Sequence, residues 1–174
     1  MEPPSERGLP SNNESGMRIG LGEDTHRLVA GGPLRLGGID IPHDQHTVGH
    51  SDADVLLHAV TDALLGAAGL PDIGQLFPND REENRLRDSA EMLHLAYERV
   101  QKTGYVPLNI DCVVAAEAPK LSPHKEAICR RMAEILAIQP AQINVKAKTG
   151  EGIGPIGEKK VIQARCVALL ETKI

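Results

Sequence analysis

The sequence has 174 residues, with 24 Asp and Glu against 19 Lys and Arg, a formal net charge of −5 and the length of one folded unit. One Phe, two Tyr and no Trp leave little to stack on nucleobases, and no basic stripe offsets the charge, so both argue against a nucleic-acid partner. No apolar stretch is long enough to span a bilayer, which argues against a membrane partner.

Residues 1–16 carry Pro, Ser, Asn and Glu without an apolar run. They are expected to form a disordered tail, neither a secretory signal nor a typical transit peptide. One folded domain is expected over 17–174. Its first strand covers Met17 to Leu21 and ends at Gly22. Leu34–Leu36 and Ile39–Ile41 flank Gly37-Gly38 as a hairpin. From Ser51 to about Ala68, apolar pairs recur every four residues, which predicts a helix with one apolar face; Ser51 and Asp54 resemble its capping box. Residues 69–87 have little periodicity, and connections of that length are often functional. A second helix is predicted from about Asp88 to Thr103, then a strand over Asn109–Ala116 with Ile110, Cys112, Val114 and Ala116 on one face. A third helix follows Ser122-Pro123, with Ser122 as N-cap, and ends near Ala137. Strands over Ile143–Lys148 and Val161–Leu170 complete the pattern, joined by a Gly-rich loop. The fold class expected is α+β: a two-layer sandwich, a mixed sheet of four to five strands with three helices on one face.

Cys112, Cys129 and Cys166 are odd in number and form neither a metal knuckle nor a disulfide framework, which fits a reducing cytoplasm. The chemistry concentrates elsewhere. Asp24 and His26 are two apart in an extended segment and point the same way. Asp54 and His58, at i and i+4, lie opposite the apolar stripe of the first predicted helix. Asp24, His26 and His58 together would supply one carboxylate and two imidazoles, the donor set of a catalytic zinc site with an open fourth position. Spacing alone leaves a second reading open, in which these are surface histidines and a capping Asp. Lys148-Thr149-Gly150-Glu151 follows a strand and could present amides to phosphate, with Glu151 as ligand to a hard cation. Lys120, after Ala118-Pro119, offers a cation close to backbone donors, but by itself it reads as a solvated lysine.

Six blocks, in order, resemble the 2-C-methyl-D-erythritol 2,4-cyclodiphosphate synthase family. They are Arg18–Arg27, Gly49–Val55, His58–Ala67, Asp72–Pro78, Ala118–Lys120 and Lys146–Glu151, and the resemblance covers Met17 to Leu170. It implies zinc on Asp24, His26 and His58, one ion per subunit, and a second divalent cation, Mg2+ or Mn2+, on Glu151 with substrate. It implies that His50 and Thr149 support the transition state. Contacts to the substrate's erythritol and phosphate part fall on Asp24, Thr25, His26, His50, Ser51, Asp72, Ile73, Gly74, Phe77, Pro78, Asn79 and Asp80. A cytidine pocket falls on Ala116, Ala118, Pro119, Lys120, Leu121 and Ser122 and on Lys148, Thr149, Gly150 and Glu151.

The activity implied is a phosphorus–oxygen lyase reaction on a small CDP-carrying substrate, which yields the cyclic diphosphate and CMP in isoprenoid biosynthesis. It would run in a homotrimer with active sites at subunit interfaces. A zinc-dependent phosphohydrolase or a non-catalytic CDP-binding module are the alternatives, and product analysis separates them. The chain departs from the family pattern at Asn79-Asp80-Arg81, at Lys148 and Gly150, and at Pro155 and Glu158. Some members place Phe and Arg at those last two positions, around a central cavity.

Overall fold

The computed structural model describes residues 16–173; the tail expected over 1–16 lies outside them apart from Gly16, whose amide donates to Thr172 Oγ1. In chain order the elements are β1 (Arg18–Ala30), β2 (Leu34–Leu36), β3 (Ile39–Ile41), β4 (Gln45–Val48), α1 (Val55–Ala68), α2 (Ile73–Leu76) and α3 (Ser89–Lys102). Then come β5 (Tyr105–Ala115), α4 (Lys125–Leu136), β6 (Ile143–Lys148), α5 (Gly154–Gly157) and β7 (Val161–Thr172). Five strands form one mixed sheet in the order β4-β1-β7-β5-β6, with only the β5–β6 pair parallel; β2 and β3 make a separate hairpin. The α+β class and the three long helices stand as expected from sequence.

β1 is where the sequence reading falls shortest. It does not stop at Gly22 but runs to Ala30, so Asp24, Thr25 and His26 lie within the strand rather than after it. Gly20 and Gly22 are contact points, not breaks. A Cβ on Gly20 would sit 2.0 Å from the Ala63 carbonyl oxygen, and one on Gly22 2.0 Å from that of Ala59. Only a strand without side chains there lets α1 approach so closely. β4 was not foreseen, because Gln45 and His46 hide its alternation.

α1 also differs from expectation. It begins at Val55, with Asp54 and not Ser51 as its cap: the Asp54 carboxylate accepts from Leu56 N and Leu57 N at 3.2 and 3.1 Å. Nor is Asp54 on a solvent face. It is fully buried and accepts also from Gly37 N and Gly38 N, at 2.9 and 2.7 Å, in the turn of the β2–β3 hairpin. Burial pushes its carboxyl pKa up, against the pull of these amides. The helix is buried nearly all round, because the sheet, α3 and the hairpin enclose it.

Ser122 does not cap α4: a short 3-10 turn over Ser122–His124 intervenes and the helix starts at Lys125. Ala137, in the left-handed region at φ 51°, ends it as expected. The core joins α1, α3 and α4 to the inward rows of β5, β6 and β7, including Ile110, Cys112, Val114, Ile162 and Ala164. The other face of the sheet is open. Met17, Ile19 and Leu21 are 72, 72 and 69 % exposed there, on the row opposite Gly20 and Gly22.

Candidate active site

Alternation along β1 turns Gly20, Gly22, Asp24 and His26 toward α1. The close approach at Gly22 then brings the first turn of α1 against Asp24 and His26. His58 Nδ1 lies 2.9 Å from Asp24 Oδ2, and His26 Nε2 lies 3.4 Å from the same oxygen. The two imidazoles meet edge to face, with centroids 5.2 Å apart. One ligand atom from each residue falls within 4.8 Å of the others. Burial pushes the Asp24 carboxyl pKa up. The His58 hydrogen bond and the charges of the two histidines outweigh it, so the group lies below its ordinary value.

The donor set fits a metal ion. His26 Nδ1 donates to the Thr25 carbonyl at 3.1 Å, which leaves Nε2 as the lone-pair nitrogen. That Nε2 is buried with no hydrogen-bond partner among the described residues. Ligands about 2.0–2.2 Å from a tetrahedral zinc stand a little over 3 Å from one another, close to the spacings around Asp24 Oδ2.

Two of the three, His26 and His58, line a cleft of about 180 Å³ together with His50, Ser51, Ile73, Gly74, Phe77, Asn79, Asn84 and Met92. His50 Nε2, like that of His26, is buried there without a partner among the described residues. The segment after α1 is held over the cleft by named contacts. Asp62 Oδ1 accepts from Ile73 N at 2.8 Å, Leu86 N donates to His50 O at 2.8 Å, and Arg87 lies over the Phe77 ring at 5.2 Å.

Several residues expected around substrate are not cleft walls. Asp72 caps α2, accepting from Gln75 N at 2.9 Å. Thr25 faces the open side of the sheet, where its hydroxyl accepts from Gln163 Nε2 at 3.2 Å. Pro78 lines a neighbouring groove, and Asp80 is exposed in a turn.

The second expected group forms its own cluster at the ends of β5 and β6, and none of it lines the cleft. Ala116 N donates to Lys148 O at 2.9 Å, and Thr149 Oγ1 donates to Glu151 Oε1 at 2.7 Å. Ala116 and Leu121 are buried in the core; Lys120, Ser122 and Lys148 are exposed. The Gly150 amide does not stand free for phosphate, because it donates to Glu117 Oε2 at 2.9 Å. Gly150 instead allows close packing, since a Cβ there would lie 2.5 Å from Gly157 N. Glu117, Asn84 and Met92 were missed from sequence, where only their neighbours in the chain carried a recognisable pattern. Asp62 lies within the His58–Ala67 block but was given no role there.

Residues 17–171 match the YgbB family. The chain is 51 % identical over 156 residues, 90 % of its length and 94 % of the relative's, to a 2-C-methyl-D-erythritol 2,4-cyclodiphosphate synthase of Rhodopirellula baltica. Among solved structures, the bifunctional IspDF of Campylobacter jejuni superposes with a TM-score of 0.88 at 38 % identity. That match covers 91 % of this chain but only 43 % of the bifunctional one. The CDP complex of IspF from Plasmodium falciparum superposes with a TM-score of 0.81 at 37 % identity, covering 93 % of this chain and all of that one. With the match spanning nearly all of the described residues, the chain belongs to the YgbB family.

Proposed function

We propose that this protein converts 4-(cytidine 5'-diphospho)-2-C-methyl-D-erythritol 2-phosphate to 2-C-methyl-D-erythritol 2,4-cyclodiphosphate and CMP, as a lyase of isoprenoid biosynthesis. The observation that carries the reading is the convergence of Asp24, His26 and His58, the two histidines lining a cleft, in a chain about half identical to 2-C-methyl-D-erythritol 2,4-cyclodiphosphate synthases. A 2-phosphate oxygen attacks the β-phosphorus. The bond from that phosphorus to the oxygen it shares with the α-phosphate breaks, and CMP leaves with the electron pair.

Asp24, His26 and His58 would hold zinc, one per chain, which supplies Lewis-acid charge and a template for phosphate oxygens. The rest of the work is positioning. His50 and Ser51 offer hydrogen bonds to phosphate, with Ile73, Gly74, Phe77 and Asn79 forming the wall against the erythritol. Alignment of an intramolecular attack is worth roughly 7–11 kcal/mol, so no nucleophilic side chain is needed. Incubating the protein with the CDP substrate and Mg2+ should give CMP and the cyclic diphosphate. An acyclic phosphate carrying solvent oxygen would instead mark a hydrolase.

The cytidine half of the site, with Thr149 supporting the transition state and Glu151 holding Mg2+ or Mn2+, is assigned to Ala116–Ser122 and Lys148–Glu151 of a neighbouring subunit in a homotrimer. Two observations support this: the cluster lies off the cleft within one chain, and the open sheet face carries exposed apolar residues that a monomer would leave in water. His58→Ala and Glu151→Ala should each be inactive alone. Unfolding and reassembling them together should restore part of the activity, because some interfaces then pair two intact halves. Hybrids confirmed by mass that stay inactive would overturn the shared site.

Glu151→Gln should lower turnover about 100-fold, as loss of a charge on the reacting phosphates does, while zinc content stays unchanged. The Thr149 hydroxyl can still donate to the amide oxygen, so the loop keeps its shape. Loss of zinc in step with activity would contradict two separate cation sites.

A further inference from the structure

We infer that Ser89, backed by Asp52, is a positioning residue that fixes the tautomer and ring orientation of His58; the inference builds on the metal-site reading above. Ser89 is the first residue of α3 and is fully buried. Its hydroxyl donates to Asp52 Oδ1, and its amide donates to Asp52 Oδ2 at 3.2 Å. Asp52 also accepts from Asp54 N at 3.2 Å and lies 3.7 Å from Arg35 Nε, so its carboxylate is held on several sides. A carboxylate only accepts, so the Ser89 hydroxyl hydrogen is committed to Asp52.

What remains on Ser89 Oγ is lone pairs, and His58 Nε2 lies 2.8 Å from it. The bond can form only if Nε2 carries the proton. In the neutral ring His58 Nδ1 is then the lone-pair nitrogen, and it faces Asp24 Oδ2 at 2.9 Å. Two acceptors at that distance repel unless a cation lies between them, which is the arrangement that a shared metal ion resolves. The chain Asp52–Ser89–His58 thus does for His58 what the Thr25 carbonyl does for His26. Ser51 Oγ is also near Nε2, at 3.1 Å, but it already accepts from Ala53 N. Once Nε2 is a donor, the Ser51 hydroxyl hydrogen cannot be directed at it and is free for the cleft.

The deciding experiment is long-range 1H–15N NMR of the imidazoles in the metal-free full chain, at a pH where the rings are neutral. His58 should carry its proton on Nε2, and Ser89→Ala should shift it toward a mixture of tautomers. Zinc affinity by chelator competition should fall about 10–100-fold in Ser89→Ala and be restored largely by Ser89→Thr, which keeps the hydroxyl. A proton on Nδ1 in the unsubstituted protein would overturn the inference, even if Ser89→Ala does not fold. So would an unchanged tautomer together with zinc affinity within about twofold in Ser89→Ala. If the unsubstituted chain binds no zinc, the metal reading fails while the tautomer measurement still decides the role of Ser89.

Discussion

His58→Ala is expected to take zinc from about one ion per chain to near none and to cut turnover at least roughly 1,000-fold, with the fold retained. Both ring nitrogens of His58 are engaged, Nδ1 toward Asp24 and Nε2 toward Ser89. Two protein ligands do not hold zinc as three do, and Asp24 is left without its strongest partner. The side chain, however, faces the cleft rather than the core. The residues of α1 that meet β1 are Ala59, Ala63 and Ala67, and Leu57, Val60 and Leu64 are among its other core positions. Water from the cleft can occupy the space and pair with the exposed polar atoms. The check is metal content by mass spectrometry beside far-UV circular dichroism and thermal unfolding. Full zinc occupancy in the variant would sink the ligand assignment, and a collapsed unfolding transition would show His58 to be structural.

Gly22→Val should act through the opposite route, on the fold first and on the site as a consequence. The new Cβ would lie 2.0 Å from Ala59 O and 2.6 Å from Ala63 N, both backbone atoms that no rotamer change can clear. Strand and helix would have to separate, and overpacking of this kind costs about 1–3 kcal/mol or more. A loss of about 3 kcal/mol should lower the melting temperature by roughly 6–12 °C. Since the same contact sets the approach of His58 to Asp24, zinc affinity should fall in any fraction that still folds. Gly66→Ala is the control with the opposite sign. A Cβ there meets nothing within 4 Å, so replacing a helical glycine should stabilise by roughly 0.5–1 kcal/mol. Equal melting temperatures for the Gly22 variant and the unsubstituted chain would show that the interface yields more easily than its geometry implies.

What could be read before any coordinates follows how local each signal is. The β2–β3 hairpin and β6 were placed to the residue, because alternating apolar residues and paired glycines act within a few positions. Asp24, His26 and His58 could be named from residue type and order, and the structure brings them together. The length of β1 could not be read, since Gly22 has the same letter whether it ends a strand or lets a helix come close. Asp54 was misplaced for a related reason. Periodicity puts it off the apolar stripe, but its four amide donors include two from a hairpin turn 16 and 17 residues away in the chain. Asp52 and Ser89 are 37 apart and carry no shared pattern, so nothing short of the fold pairs them.

β1 has one more consequence. Its odd and even positions do different jobs: one set reaches the helix and the metal-binding trio, the other the open face with Ile19 and Leu21. A slip of one residue against β7 would exchange the two sets, driving Ile19, Leu21 and Glu23 against the backbone of α1 and turning Asp24 and His26 outward. No intermediate pairing keeps half of the arrangement. Activity lost through such a slip should therefore resolve into fully competent and wholly incompetent chains, not into a continuum of weakened sites.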